Sequence, residues 1–162
     1  MSKGFFNVPI PSCEPVKSYT PGSEELNEVL DQYRNMYNNT IDIPMYIGDK
    51  QVFTNDKRNI NPPHDHNHVV GTFNYGGKKE VSDAIEAALK AREKWSNMSW
   101  EHRASIFLKA ADLLAGPFRA KMNASTMIAQ SKNVFQAEID AAYELIDFLK
   151  FNVQYMTQLY KE

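Results

Sequence analysis

The 162-residue chain is poor in several things that define other protein classes. It has one cysteine, Cys13, so no internal disulfide and no thiolate metal cluster can form. That usage points to a reducing compartment. No apolar run approaches the roughly 20 residues of a membrane-spanning helix. The 18 basic and 20 acidic side chains nearly cancel, to a formal net charge of −2. That balance carries no electrostatic footprint for nucleic acid. No block of like charge stands out as an interaction tail. Met1 to Pro11 lacks the apolar core of a secretory signal and the Arg-rich amphipathic pattern of a transit peptide. A cytoplasmic location is expected, with the mitochondrial matrix as the alternative.

What is present is ordinary globular composition. Apolar residues make up 43% and charged residues 23%, in a length that suits about one domain with a real core. Residues 1–22 carry Pro9, Pro11, Pro15, Pro21 and Gly22 and read as an extended arm, because proline fixes φ and removes a donor. Ser23 can cap a helix whose first turn holds Glu24 and Glu25 and whose apolar positions are Leu26, Val29, Leu30, Tyr33 and Tyr37. Ile43–Ile47, Gly48-Asp49 and Gln51–Thr54 then predict a tight hairpin. Asn59–Pro62 and His68–Phe73 predict two further short strands around a polar turn, the first short or at an edge because of Pro62 and Pro63.

From Glu80 the spacing is helical. One face holds Val81, Ala84, Ile85, Ala88, Leu89 and Trp95. Ser99 can cap a second helix with Ala104, Phe107, Leu108, Ala111 and Leu114 on its face, and Gly116-Pro117 stops it and restarts a third. A last helix runs from near Val134 to the C-terminus. Two adjacent apolar rows, Phe135 to Tyr160 and Val134 to Leu159, make its surface wider than one helix partner covers. The fold class predicted is α+β, mostly helical with short β-hairpin strands.

Four groups of residues bear on chemistry. His64, His66 and His68 alternate with Asp65 and Asn67, types that ligate metals. Pro62-Pro63 beside them favours a turn, in which Asp65 and Asn67 have a structural use. Gly71 to Lys79 follows a strand and precedes a helix but departs from a phosphate loop, with Thr72 and Lys79 where Gly and Ser/Thr are needed. Gly76-Gly77 reads as a turn and helix start. Asp140, Glu144 and Asp147 fall at i, i+4 and i+7; with no histidine on that helix, they read as a solvated acidic stripe, Asp147 pairing with Lys150. Cys13 lies in the arm with no histidine nearby in sequence, as expected of a bystander thiol.

The words of the sequence go further. Ala84-Ile85-Glu86-Ala87-Ala88-Leu89-Lys90-Ala91-Arg92, Trp95, and the run from Arg103 to Leu114 resemble the N-terminal helices of the aldehyde dehydrogenase superfamily. The hairpin Tyr46–Val52 and the turn from Asn61-Pro62 to His68-Val69 fit its opening strands. Gln130 to Phe148, and the arm from Glu14-Pro15-Val16 to Ser23, resemble the 1-pyrroline-5-carboxylate dehydrogenase branch.

The resemblance implies the N-terminal part of the α/β aldehyde dehydrogenase fold, with 1–22 as an arm and 23–162 as a helical and hairpin segment of the NAD-binding domain. It implies NAD-dependent oxidation of L-glutamate γ-semialdehyde to L-glutamate in proline breakdown. In that family a cysteine thiolate attacks the aldehyde, hydride passes to NAD, and a glutamate activates water. Those groups, and the main NAD-binding segments, lie beyond the matched region, and Cys13 matches none of them. The chain alone is therefore expected to be inactive, its partners being the remainder of the dehydrogenase chain and further copies in a homo-oligomer. One role carries over: Glu144 is implied as a substrate-binding residue, while Asp140 and Asp147 keep the surface reading. A freestanding, non-catalytic helical interaction module is the alternative that the wide apolar surface also fits.

Overall fold

A computed structural model describes residues 8–161. The first helix, α1 (Glu24–Asn38), starts where Ser23 Oγ accepts from the Leu26 N–H, with Glu24 and Glu25 at the positive end of the helix dipole. It packs on α4 (Arg119–Gln130) through Val29 and Ala124, with Tyr19 between them and Leu26, Tyr33, Met36 and Met127 around the contact. A second contact joins α3 (Trp100–Ala115) to the C-terminal helix through Ala111, Ala142 and Ile146. Alanines at both seams let the helix backbones approach closely. Ser99 caps α3 by accepting from the His102 N–H, and Gly116 ends it.

The strands divide differently from the expectation. Ile43 to Ile47 is not one strand but two, because Pro44 has no N–H for a ladder. Before it, β1 (Ile41–Ile43) joins a three-stranded sheet; after it, β2 (Met45–Ile47) pairs antiparallel with β3 (Lys50–Val52) around Gly48, whose φ is 62°. The two further strands lie farther from the turn than expected, at β4 (Lys57–Ile60), an edge strand, and β5 (Gly71–Asn74), the central one. Between them the Asn61 amide donates to the carbonyls of His66 and His68, which holds residues 61–68 as a loop. The strand order is β1-β5-β4, with β1 parallel and β4 antiparallel to β5. Gly71 permits the β1–β5 approach: a Cβ there would lie 2.6 Å from the Ile41 carbonyl oxygen.

After the sheet, α2 (Lys78–Asn97) leaves with its apolar stripe outward. Val81, Ile85 and Leu89 are each more than half exposed, and no residue of α2 is buried. The last helical stretch is three pieces: α5 (Val134–Ala137), a π turn (Glu138–Tyr143) and α6 (Glu144–Leu159). Ala142, Ile146 and Val153 are buried, while Phe135, Leu145, Phe148, Tyr155 and Leu159 lie on its uncovered side. Among the described residues no helix is long and apolar enough to cross a membrane.

Candidate functional site

The densest chemistry lies where the N-terminal segment crosses α4 and the π turn. Arg119 is the first residue of α4, a position the helix dipole disfavours for a cation. Two carboxylates offset this. Glu138 accepts from Arg119 Nη2 and, at 3.2 Å, from Nε; Glu14 Oε1 accepts from Nη1 at 2.6 Å. The Pro15 carbonyl takes a further Arg119 N–H at 2.7 Å. Glu138 is fully buried and also accepts from the Tyr19 hydroxyl at 2.6 Å, the Lys17 N–H at 2.9 Å and Asn123 Nδ2 at 2.8 Å. Asn123 stands one turn after Arg119, so α4 presents both side chains on one face.

Burial alone would raise the Glu138 carboxyl. The bonds from Arg119, Tyr19, the Lys17 N–H and Asn123 outweigh it and hold the group down to about 2. The same burial and the bond to Glu138 push the Tyr19 phenol up. Tyr19 has a φ of 49°, a left-handed backbone that costs a non-glycine residue about 1–3 kcal/mol. Its hydroxyl bond, its bond from Asn123 and its edge-on contact with Phe135 hold it there.

The segment continues onto α6. Glu14 Oε2 accepts from Lys150 Nζ at 2.7 Å, and the Glu14 N–H donates to Asp147 Oδ1 at 2.7 Å. Asp147 thus holds the strap, and the expected Asp147–Lys150 pair is replaced by two separate ties to Glu14. Asp140 pairs with Lys132 at the surface. Asp140 lies inside the π turn and Glu144 directly after it, so the regular stripe expected of them is broken.

Glu144 is exposed at the first position of α6. It lines an open depression of about 300 Å³ with Tyr143, Phe148, Phe151, Asn152 and Tyr155. Asp147 lines it as well, which brings the strap to its edge. Cys13 is exposed beside Tyr143, and together with Asp147 it holds that phenol above its ordinary value.

The three histidines do not converge. His64 Nδ1 lies 2.7 Å from Ser131 Oγ and its Nε2 3.3 Å from the Tyr33 hydroxyl. His68 donates from Nε2 to the Tyr37 carbonyl and stacks on that ring. Asp65 accepts from the Tyr37 hydroxyl, which lowers its carboxyl. Among the described residues no group of three or more His, Cys, Asp or Glu side chains is placed to hold a metal. Gly77 is the N-cap of α2, where its N–H is taken by Glu80 Oε2 at 2.8 Å.

Sequence reasoning missed Arg119 and Glu138, and it gave Lys150 to Asp147 where the structure gives both to Glu14. The one trace of Glu138 is that it precedes the apolar Ala142 and Ile146 by four and eight positions and so falls on their face.

Residues 51–162 match the aldehyde dehydrogenase family. The chain belongs to that family. It is 45% identical over 146 residues to the mitochondrial delta-1-pyrroline-5-carboxylate dehydrogenase of Homo sapiens, a match covering 90% of this chain and 26% of the relative. Against the delta-1-pyrroline-5-carboxylate dehydrogenase of Agaricus bisporus it is 42% identical over 160 residues, covering 97% and 29%. A crystal structure of the delta-pyrroline-5-carboxylate dehydrogenase from Mycobacterium tuberculosis bound with NAD and cobalamin superposes with a TM-score of 0.97 at 38% identity, over 100% of this chain and 31% of that one. A point mutant of the Thermus thermophilus 1-pyrroline-5-carboxylate dehydrogenase gives 0.83 at 29% identity, over 92% and 28%. The chain therefore has the architecture of an N-terminal part of the aldehyde dehydrogenase fold, and it spans under a third of the length of these relatives.

Proposed function

We propose that the chain is the N-terminal portion of an NAD-dependent 1-pyrroline-5-carboxylate dehydrogenase, which oxidises L-glutamate γ-semialdehyde to L-glutamate, and that Glu144 binds the substrate. The observation that carries this reading is the match along 90% or more of the chain to dehydrogenases of that name, in sequence and in fold. On this reading residues 1–22 are an arm and 23–162 belong to the NAD-binding domain. The partners are the remainder of the dehydrogenase chain and further copies of it. The setting proposed is the cytoplasm, with the mitochondrial matrix as the alternative; some relatives are named mitochondrial and others are not.

The chain's own contribution is to bind and orient. The Glu144 carboxylate faces the depression beside Phe148 and Tyr155, where it can accept a hydrogen bond from the substrate's ammonium while the aldehyde end points away. NAD supplies the hydride acceptor when bound, and it is held mainly by parts of the enzyme outside this chain. The N-terminus of α2, the place where a phosphate would sit after a β-strand, is taken by the Glu80 carboxylate. Cys13 lies on the strap beside Tyr143 and matches no nucleophile of the family, so the isolated chain is inactive.

The test is Glu144→Ala in the complete dehydrogenase. Loss of a charged hydrogen bond worth about 1.5–3 kcal/mol raises KM for the semialdehyde roughly 10- to 100-fold. Unchanged KM and kcat would remove Glu144 from the site. The outward stripe Val81, Ile85 and Leu89 favours a second reading, a freestanding interaction module. A discrete, dye-excluding dimer of the isolated chain in size-exclusion chromatography would support that one.

A further inference from the structure

From Glu144 onward the C-terminal helix is regular, and the whole depression belongs to this stretch: every lining residue falls between 143 and 155. The spacing of its groups is therefore set by the helix itself. Glu144, Phe148, Phe151 and Tyr155 fall at i, i+4, i+7 and i+11 and form one stripe. Glu144 and Phe148 are one turn apart, which puts their Cβ atoms about 5–6 Å from each other. The other polar groups nearby are engaged. Lys150 Nζ is held by the Glu14 carboxylate, and Asp147 accepts from the Glu14 N–H. The Tyr143 hydroxyl faces Cys13 and Asp147. Among the described residues Glu144 has no ion-pair partner, and Phe148 beside it is 61% exposed. A free carboxylate one turn from an open aromatic face is complementary to a cation of ammonium size. The carboxylate accepts its N–H groups on one side, and the negative face of the ring attracts it on the other.

We propose that Phe148 is a specificity residue: its ring holds the substrate's ammonium against the Glu144 carboxylate, so the site selects aldehydes that carry an ammonium over those that lack one. This rests on the function proposed above and adds a second contact to it. A lone exposed carboxylate attracts any cation and competes with water for it, whereas the ring adds a face that favours an organic ammonium. Phe151 and Tyr155 lie about 10 Å and 16 Å along the helix from Glu144, beyond the reach of an ammonium bonded to it, so the role falls to Phe148.

Two substrates given to the full-length dehydrogenase test it: L-glutamate γ-semialdehyde, and the same aldehyde acid without its amino group. Phe148→Leu keeps an apolar side chain and removes the ring. It lowers kcat/KM for the amino substrate about 3- to 30-fold, through KM, and changes that for the other less than about twofold. Ring-fluorinated phenylalanines at position 148 keep the shape and draw charge from the ring face. With them KM for the amino substrate rises stepwise as fluorines are added, a readout that stands even if the leucine variant fails to fold. An equal loss for both substrates, no loss for the first, or a KM indifferent to fluorination overturns the proposal, because Phe148 then only packs. Glu144→Ala, measured alongside, keeps the two readings apart. An unchanged KM there ends the functional reading and this inference with it; a raised KM without a selective effect at Phe148 overturns this inference alone.

Discussion

Arg119→Met is the most demanding perturbation of the buried cluster. The guanidinium is 3% exposed and serves Glu138, Glu14 and the Pro15 carbonyl. Methionine fills much of the volume but leaves Glu138 ionised, fully buried and held only by neutral donors. Removing one partner of a buried pair costs about 3–5 kcal/mol. The titration of Glu138 gives a matching scale. Its carboxyl is depressed from 4.5 to about 2, and at about 1.4 kcal/mol per pH unit the folded state gains about 3 kcal/mol. That gain is complete above the unfolded-chain value of 4.5 and is lost as pH falls through about 2. Chemical denaturation followed by circular dichroism at pH 7 and pH 3 reads both effects. At pH 7 the variant loses about 3–5 kcal/mol, a drop in Tm of about 10 °C for a chain of this size. At pH 3 the deficit shrinks, because without its cation the buried Glu138 takes up a proton and the wild type has begun to lose its advantage. A double variant, Arg119→Met with Glu138→Leu, recovers only part of the loss, since Tyr19, the Lys17 N–H and Asn123 are then without their acceptor. A loss under about 1 kcal/mol at pH 7, or a deficit that grows on acidification, would refute the reasoning.

Two further outcomes test the frame around the site. Gly71→Ala drives a Cβ to 2.6 Å from the Ile41 carbonyl oxygen, so β1 must part from β5 at a cost of about 1–3 kcal/mol in urea unfolding; wild-type stability would contradict the parallel register. Ser23→Ala removes the acceptor of the Leu26 N–H and lowers stability by about 1 kcal/mol in the same assay, and no change would mean that the cap contributes nothing.

Features set by neighbours in sequence were legible; features set by distant partners were not. Ser23, Ser99 and Gly116 mark helix ends because a cap acts within one turn of itself. The apolar stripe of α2 announced a helix, yet spacing says nothing about whether a stripe is covered, and in the described residues it is not. Pro44 was read as part of an apolar run, whereas its missing N–H sends the residues on either side to different sheets. The pairing of Ile41 with Gly71 spans thirty positions and leaves no local mark. At the site, the sequence read without the resemblance placed Glu144 on a solvated stripe, and only the resemblance set it apart. Glu138 and Arg119 looked like two charges among many, because burial of an ion pair depends on Glu14, Tyr19 and Asn123 arriving from elsewhere. The π turn was not read from the sequence, where residues 134 to 160 look like one continuous helix.

The strap also dictates an order of events during synthesis. Glu14 is tied to Asp147 and Lys150 across sequence separations of 133 and 136 residues, and Tyr19 to Glu138 across 119. Residues made first therefore have no seat until nearly the whole segment has been made. At about 5–20 residues per second, the strap waits roughly 6 to 27 seconds after its own synthesis before its partners exist. A chain whose own strap has not yet docked when Arg119 and Glu138 emerge presents a site that the strap of another copy can fill with the same bonds. Polysomes that crowd nascent chains would then favour exchanged straps, and the left-handed backbone at Tyr19 is a step that either pairing must complete.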